Sequence, residues 1–147
     1  MHLAIVFVAG YRCMDTLTPS ERSARMALIR SANTKPEVAV RRLAHAMGYR
    51  FRLHRRDLPG RPDIVFPGRR KVILVHGCFW HAHADCKVAN QPKSRSEFWR
   101  EKFARNKSRD AANLIELARM KWDVLVVWEC ETKNIDDLRQ RLRAFLE

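Results

Sequence analysis

Residues 75–86 read VHGCFWHAHADC, and this stretch holds three histidines, two cysteines and an adjacent Phe-Trp pair. A packed hydrophobic core does not require such a mixture of side chains. Histidine is the commonest metal ligand and titrates near neutral pH, and cysteine thiolates are ligands that suit zinc. Aromatic side chains between them could belong to a core or stack on nucleic-acid bases. We therefore expect the rest of the chain to be organised around this stretch.

The composition of the chain is that of a folded, strongly basic domain. Its 147 residues suffice for one domain with a substantial core, and 46% of them are hydrophobic and 31% charged. The formal net charge of +13 and the pI of about 10.5 favour a polyanionic partner, with nucleic acid first. No basic amphipathic helix with a strong aromatic face stands out, which disfavours a membrane partner. The alternative is a solvated basic surface.

The first residues of the chain differ from the remainder. Residues 3–9 read LAIVFVA, which is too short to span a bilayer and lacks the charged segment that precedes a signal sequence. We expect residues 1–13 to be an extension outside the fold, with an additional edge strand as the alternative, and residues 14–147 to form the domain. Without a secretory signal we expect a cytoplasmic protein, whose cysteines bind metal rather than form disulfides.

Two helix starts are visible near the beginning of the domain. Thr18-Pro19-Ser20-Glu21 has the form of a capping box, and Thr34-Lys35-Pro36-Glu37 repeats the signal. Periodic apolar residues follow the second start as far as Gly48, which suits the position just after a helix. From this local pattern alone, Glu37 is a capping residue that compensates the helix dipole.

The remaining pattern predicts a sheet flanked by helices. Strands are expected at residues 49–53, 63–66, 71–75 and 122–128, and helices at residues 96–120 and 136–146. The turn at residues 67–70 should pair the second and third strands in an antiparallel hairpin. Residues 122–128 are almost continuously apolar, which predicts a buried central strand. The order of elements indicates a three-layer α/β or α+β domain.

The cysteines and one histidine of the central stretch have the spacing of a metal-binding loop. Cys78, His83 and Cys86 lie within nine residues, and Cys130 follows the apolar strand at residues 122–128. Three cysteines and one histidine would complete a closed, structural zinc site with no open position for chemistry. The alternative is a set of ordinary buried cysteines and surface histidines. A zinc role for these four residues would leave His76 and His81 free.

A second constellation joins Asp63 to the same stretch. Asp63 begins one strand of the predicted hairpin and His76 ends the other, so both can lie at one edge of the sheet. A carboxylate there can hold Mg²⁺, which stabilises the charge that develops in phosphodiester cleavage, and a histidine can take a proton from water. The arrangement resembles a restriction-endonuclease-like core, but Val75 offers only its backbone carbonyl where that core has an acid, and histidines replace the usual lysine. Alone, Asp63 could be an ordinary turn residue.

Four segments together resemble one family, the very-short-patch repair endonucleases. They read LPGRPD at residues 58–63, HGCFWH at 76–81, EFW at 97–99 and VWEC at 127–130, and the likeness extends over about residues 14–146. The resemblance implies a restriction-endonuclease-like three-layer fold, a central mixed sheet flanked by helices. It also implies a bacterial enzyme that nicks double-stranded DNA 5′ of the thymine in a T:G mismatch left by deamination of 5-methylcytosine.

The resemblance also implies roles for individual residues. Asp63 and the Val75 carbonyl would bind the catalytic Mg²⁺, His76 and His81 would serve the hydrolysis with His81 as general base, and Glu37 would lie near them. Cys78, His83, Cys86 and Cys130 would bind the structural Zn²⁺. Phe79, Trp80 and Trp99 would wedge into the DNA beside the mismatch, assisted by Met26 from the other groove. Ala82 and Ala84 replace histidines that the family can have there, and Asp85 is inserted before Cys86.

A wedge has a physical basis, because unstacking a base step costs a few kcal/mol and costs less at a mismatch. The alternative for Phe79 and Trp80 is core packing. The implied partners are T:G-containing DNA, a cytosine-5 methyltransferase and the mismatch-repair machinery, and a single-strand nick requires only a monomer. Two other functions remain open from the sequence: a restriction-like nuclease acting on other DNA, and a non-catalytic, zinc-stabilised DNA-binding module.

Overall fold

The computed structural model describes residues 17–147, so the expected extension at residues 1–13 lies outside the described residues. Apart from two short 3₁₀ helices at residues 67–69 and 129–133, the described part has four helices and four strands. In chain order they are α1 (Pro19–Ala27), α2 (Lys35–Ala46), β1 (Arg52–Leu53), β2 (Ile64–Phe66), β3 (Lys71–His76), α3 (Ser96–Arg119), β4 (Asp123–Trp128) and α4 (Ile135–Leu146). None of these helices combines the length and the apolar character needed to cross a bilayer.

Both predicted helix starts are confirmed. The Thr18 side chain accepts a hydrogen bond from the Glu21 N–H at 3.3 Å, and the Glu21 carboxylate accepts one from the Thr18 N–H at 2.8 Å, which completes a capping box. Thr34 accepts in the same way from the Glu37 N–H at 3.4 Å. The two helices differ in burial, because α1 buries none of its residues whereas α2 buries Glu37 and three apolar residues.

The four strands form one mixed sheet in the order β1-β2-β3-β4. The pairs β1–β2 and β2–β3 are antiparallel, which confirms the predicted hairpin, and β3–β4 is parallel. The 24-residue helix α3 lies in the connection between β3 and β4, as a parallel crossover requires. The register places Ile64 opposite Ile73, and it sets His76 beside Trp128 at the end of the parallel pair.

Two sequence predictions for the strands were wrong in part. Residues 122–128 were expected to form a central strand, but in residues 17–147 β4 pairs with β3 alone and lies at the sheet edge. Its apolar run is explained by helices covering both of its faces, and the Arg141 guanidinium donates to the Val126 carbonyl at 3.3 Å on the open edge. The strand expected at residues 49–53 is reduced to β1, because only Arg52 and Leu53 pair with β2, and it ends where His54 adopts a φ of 46°.

The sheet separates two apolar cores, which makes a three-layer α/β arrangement. On one face, α2 and α4 pack over Ile64, Ile73 and Val127, and on the other, Leu117 of α3 packs over Val65 and Val72. Successive side chains of β2 and β3 belong alternately to the two cores, so these strands are buried on both faces of the sheet. The start of β2 and the end of β3 remain open between α1, α2 and α3, and many of the side chains predicted to be functional line the cleft there.

Candidate active site and metal centre

A cleft of about 940 Å³ opens between α1, α2, α3 and the end of β3. The sequence-predicted residues that line it are Met26, Glu37, Asp63, Val75, His76, Trp80 and His81. These seven residues come from four separate segments of the chain, and the fold brings them to one surface. The cleft is also lined by four cationic residues and by two acids besides Asp63 and Glu37, so groups able to contact phosphates stand beside acids able to hold a cation. These further residues are the cations Arg30, Arg61, Lys102 and Arg109 and the acids Asp110 and Glu129.

Asp63 lies at the entrance to β2, directly after the buried Pro62. Its Oδ2 accepts a hydrogen bond from the Val75 N–H at 2.7 Å, so the carboxylate and the backbone of residue 75 are adjacent. Burial raises the pKa of Asp63 to about 6, against the lowering effect of the Val75 N–H, and the nearby Glu37 carboxylate raises it further. A divalent cation would offset that penalty, and hard oxygen ligands of this kind fit Mg²⁺.

Glu37 is buried at 3% exposure, although the sequence suggested only a helix cap. Its carboxylate accepts hydrogen bonds from the Asn33 N–H at 2.8 Å, the Thr34 hydroxyl at 3.1 Å and the Arg41 guanidinium at 2.9 Å. The capping interaction is therefore present, and Glu37 also belongs to a buried polar network that reaches the neighbourhood of Asp63.

His76 and His81 form a stacked pair, with ring centroids 3.9 Å apart and planes inclined by 6°. Burial lowers the pKa of His76 to about 4, and the adjacent His81 lowers it as well, so His76 is neutral at physiological pH. The Nδ1 of His81 lies 2.5 Å from Oδ2 of Asp110 on α3. If neutral His81 donates through Nδ1, its Nε2 keeps a lone pair, which is the form a general base needs.

Asp110 was not predicted from the sequence. Its one visible signal is that it is an acid within a helix rich in lysine and arginine, and such a pattern is common on exposed helices. Asn106, one turn earlier, was missed as well, and its side-chain amide donates to the Trp80 carbonyl at 2.8 Å. Together these two residues of α3 hold the loop that carries His81 and Trp80.

The predicted zinc ligands come together. One ligand atom from each of Cys78, His83, Cys86 and Cys130 lies within 4.8 Å of all the others. The Cys130 N–H donates to the Cys78 sulfur at 3.4 Å, and the His83 N–H donates to the Cys78 carbonyl at 2.9 Å. Three sulfurs and one imidazole nitrogen at this separation fit a tetrahedral zinc ion. Burial raises the pKa of Cys78 to about 12, so a bound cation is what would favour its thiolate.

The loop between these ligands has an unusual backbone. Ala82 and Asp85 both adopt the left-handed region, with φ of 46° and 55°, which is costly for residues other than glycine. Asp85 is the residue that the family resemblance suggests as an insertion, and with this backbone the ligand atoms of His83 and Cys86 stay within 4.8 Å of each other. Trp128 supports the loop from β4, since its ring stacks on His83 with centroids 4.0 Å apart and meets His76 edge-on at 5.4 Å.

Three of the predicted DNA-wedging residues form one aromatic cluster. Phe79 meets Trp80 and Trp99 edge-on, with centroids 5.0 and 5.4 Å away, and it packs equally closely on Phe103. Trp80 lines the cleft, whereas Trp99 is only 8% exposed. The Lys102 ammonium lies 5.2 Å from the Trp80 ring centroid. A wedge formed by Trp99 would therefore require this cluster to rearrange.

Met26, the predicted contact from the opposite groove, lies on α1 at another wall of the cleft. The neighbouring Ile29 lines the same cleft and is 49% exposed, and Leu28 is 82% exposed. Apolar side chains therefore face the cleft from both α1 and the loop after β3. A duplex entering between them would meet apolar groups from two sides.

Comparison with known proteins gives a consistent result. The family described as DNA mismatch endonuclease Vsr matches residues 14–88. The chain is 52% identical over 133 residues to the type II nicking enzyme V.XorIIP of Xanthomonas oryzae pv. oryzae, which covers 90% of this chain and 97% of that protein.

Two further relatives extend the comparison. The type II nicking enzyme V.NmeAIP of Neisseria meningitidis is 44% identical over 132 residues, covering 90% of this chain and 94% of that protein. The DNA mismatch endonuclease Vsr of Escherichia coli K12 is 39% identical over 124 residues, covering 84% of this chain and 79% of that protein. The similarity thus spans most of each relative as well as most of this chain.

Proposed function

Since the chain belongs to the Vsr family of DNA mismatch endonucleases, we propose that it nicks double-stranded DNA on the 5′ side of the thymine in a T:G mismatch, with Mg²⁺ as its catalytic cofactor. The observation that carries this proposal is the single cleft shared by Met26, Asp63, His76, Trp80 and His81. It places a carboxylate, two imidazoles and apolar side chains where one duplex could meet all of them. The restriction-endonuclease-like architecture is part of the proposal, supported by the mixed sheet between two helix layers.

The chemistry divides between the two sides of the cleft. Asp63 and the Val75 carbonyl are the groups that would hold Mg²⁺, which supplies charge stabilisation at the scissile phosphate when bound. His81 Nε2 takes a proton from the attacking water, and Asp110 stabilises the imidazolium that results. His76 stays neutral beside it, so the stacked pair carries at most one positive charge. Glu37 contributes a buried negative charge close to Asp63.

The metal centre has a structural role in this proposal. Zn²⁺ bound by Cys78, His83, Cys86 and Cys130 would join the loop after β3 to the end of β4. Trp128 stacks on His83, one of these ligands, and contacts His76 edge-on. A metal that fixes His83 would therefore also help to fix the positions of His76 and His81. The closed ligand set leaves no position for a reacting group.

Mismatch selectivity would arise from intercalation. Phe79, Trp80 and Trp99 enter the stack from one groove and Met26 from the other, and the lower unstacking cost at T:G favours the mismatch over paired DNA. We propose that the protein acts as a monomer on the bacterial nucleoid in the cytoplasm. Its partners would be a cytosine-5 methyltransferase, whose product creates the substrate on deamination, and the mismatch-repair machinery.

Nicking of matched duplexes tests the proposal. Duplexes of one sequence containing T:G or C:G are compared with and without Mg²⁺, over a library of flanking bases. We expect a nick in the thymine strand, on its 5′ side, in the T:G duplex with Mg²⁺ only. Equal cutting of the C:G duplex would contradict mismatch specificity and indicate a restriction-like nuclease. Binding without any cutting in the presence of Mg²⁺ would indicate a DNA-binding module.

A further inference from the structure

His54, which no motif selects, lies beside Asp63 and is connected to α2 through Arg41. Its Nδ1 is 4.0 Å from Oδ1 of Asp63, and its Nε2 is 3.0 Å from Nη2 of Arg41. We propose that His54 is a positioning residue for the Asp63 carboxylate and that Arg41 sets the tautomer in which it acts. The inference rests on the proposed function, because it assumes that Asp63 is the metal-binding carboxylate.

The tautomer follows from the chemistry of arginine. A guanidinium can only donate hydrogen bonds, so His54 must accept from Arg41 with the lone pair on Nε2. A neutral imidazole that accepts at Nε2 carries its hydrogen on Nδ1. That hydrogen is on the side of the ring that faces Oδ1 of Asp63. The other oxygen, Oδ2, is already bonded to the Val75 N–H, so the two carboxylate oxygens face donors from two different segments.

Arg41 is itself held in place from two directions. Its Nη2 donates to Glu37 Oε2 at 2.9 Å, and its Nη1 donates to Asn33 Oδ1 at 2.7 Å. Its Nε is buried without a hydrogen-bond partner, the one such side-chain atom in residues 17–147. An unsatisfied buried donor requires an explanation. The orientation that leaves Nε unpaired is the one that lets Nη2 contact both Glu37 and His54.

The backbone of His54 is consistent with a functional constraint. It adopts a φ of 46°, a region that residues other than glycine enter at a cost, and it ends β1 there. The His54 N–H reaches the Asp63 carbonyl at 3.5 Å. The chain thus bends at this residue in the conformation that keeps its ring between Arg41 and Asp63, and the surrounding hydrogen bonds hold it there.

A second metal site is the competing interpretation, because ligand atoms of Glu37, His54 and Asp63 lie within 4.8 Å of one another. The position of Arg41 disfavours it. Its guanidinium contacts both Glu37 Oε2 and His54 Nε2, so a cation bound by these atoms would meet a fixed positive charge and would have to displace both hydrogen bonds. The cluster is therefore better described as a chain of contacts from Glu37 through Arg41 and His54 to Asp63.

The first test is spectroscopic and needs no enzyme activity. The full chain is labelled with ¹⁵N-histidine, kept free of Mg²⁺ and studied above the ordinary histidine pKa, and His54 is assigned from the signal lost in His54→Asn. We expect the Nδ1–H tautomer in the wild type and a mixture of tautomers in Arg41→Met. An Nε2–H tautomer in the wild type, or an unchanged signal in Arg41→Met, would overturn the inference.

The second test measures how nicking of a T:G duplex depends on Mg²⁺. His54→Ala should raise the half-saturating Mg²⁺ concentration by about 10-fold, as expected when a second-sphere partner is lost. His54→Asn, whose amide can present an N–H to Asp63, should recover most of that loss. Duplex affinity without Mg²⁺ should not change in either variant. His45→Ala is the matched control, since His45 is an exposed histidine of α2 that does not line the cleft.

The outcomes separate the inference from the function on which it rests. If His54→Ala behaves as His45→Ala does, or if His54→Asn is no better than His54→Ala, the positioning role fails. In either case Asp63→Asn shows whether the proposed function survives. Loss of nicking supports Asp63 as the metal-binding carboxylate. Retained nicking contradicts that assignment, on which the role of His54 also depends. His54→Asn also guards against misfolding of the alanine variant, because it keeps a polar group of similar length.

Discussion

The metal loop of residues 76–86 and the surroundings of Asp63 meet at the end of β3, and they are held by different kinds of contact. In the loop, four ligands from two segments converge within 4.8 Å, and coordination would fix them strongly. Around Asp63, the contacts are a hydrogen bond from the Val75 N–H of β3 and a neighbouring network in which Arg41 of α2 donates to Glu37 and His54. The first region is therefore expected to respond to the loss of one ligand by losing order. The second should keep its fold and lose reactivity.

Removal of a zinc ligand gives the largest expected effect on stability. Cys130→Ala should release zinc and lower the free energy of unfolding by at least about 4 kcal/mol, as is typical when a structural metal is lost. Zinc content per chain and urea unfolding are the measurements, with His45→Ala, at an exposed histidine of α2 that is not among the four ligands, as the control. If Cys130→Ala retains one zinc per chain, Cys130 is not a ligand and the contrast between the two regions disappears.

Removal of the carboxylate should affect rate rather than fold. Asp63→Ala is expected to lower the nicking rate at least about 10³-fold, because several kcal/mol of transition-state stabilisation depends on the metal it would hold. Zinc content and binding of the T:G duplex should not change. Nicking rate, zinc content and duplex binding, measured together, show whether the surroundings of Asp63 respond differently from the metal loop. A variant that still nicks would show that the metal-binding carboxylate lies elsewhere.

The pH dependence of stability should distinguish the Asp63 region in the Mg²⁺-free protein. The folded-state pKa of Asp63 is about 6, above the ordinary aspartate value of 3.8, so the folded chain binds more protons than the unfolded chain and loses stability as pH rises between those values. The shift of 6 − 3.8 corresponds to at most about 3 kcal/mol. Urea unfolding of wild type and Asp63→Asn over this range gives the difference directly.

His76 contributes to the pH dependence of stability with the opposite sign to Asp63, so the Asp63→Asn variant is needed as a reference. Its pKa is lowered to about 4 from 6.5, so the folded chain loses stability as pH falls through that range. Subtracting the Asp63→Asn profile removes this contribution. If the difference in unfolding free energy between wild type and Asp63→Asn does not change between pH 3.8 and about 6, the raised pKa of Asp63 is contradicted. Added Mg²⁺ should restore stability at the upper end of the range.

The smallest of these effects is expected at the contact between α3 and the metal loop. Asp110→Asn should slow nicking about 10²-fold, the lower range for a disturbed general base, because the carboxylate that stabilises the His81 imidazolium is lost. The effect should appear in kcat more than in KM. Asp136→Asn, on the exposed first turn of α4, is the control. Equal nicking rates in Asp110→Asn and Asp136→Asn would show that Asp110 does not assist His81.

Much of the fold follows from local pattern. The helix starts at Thr18 and Thr34, the hairpin of β2 and β3 and the extent of α3 were predicted correctly, since capping, turn chemistry and apolar periodicity act over a few residues. The edge position of β4 was not predicted. An apolar run reports that both faces of a strand are covered, and it does not report how many strands lie beside it.

The same distinction applies to the site. The sequence by itself determined the metal ligand set as a chemical hypothesis, because cysteine and histidine at short spacing suit zinc, and it selected Asp63 and the two histidines, whose roles stay proposals. Only the tertiary structure joined Asp110 to His81, and only it joined Arg41 and His54 to Asp63. The physical reason is distance along the chain: these side chains are ordinary helix or strand-end residues until the sheet register and helix packing bring them together.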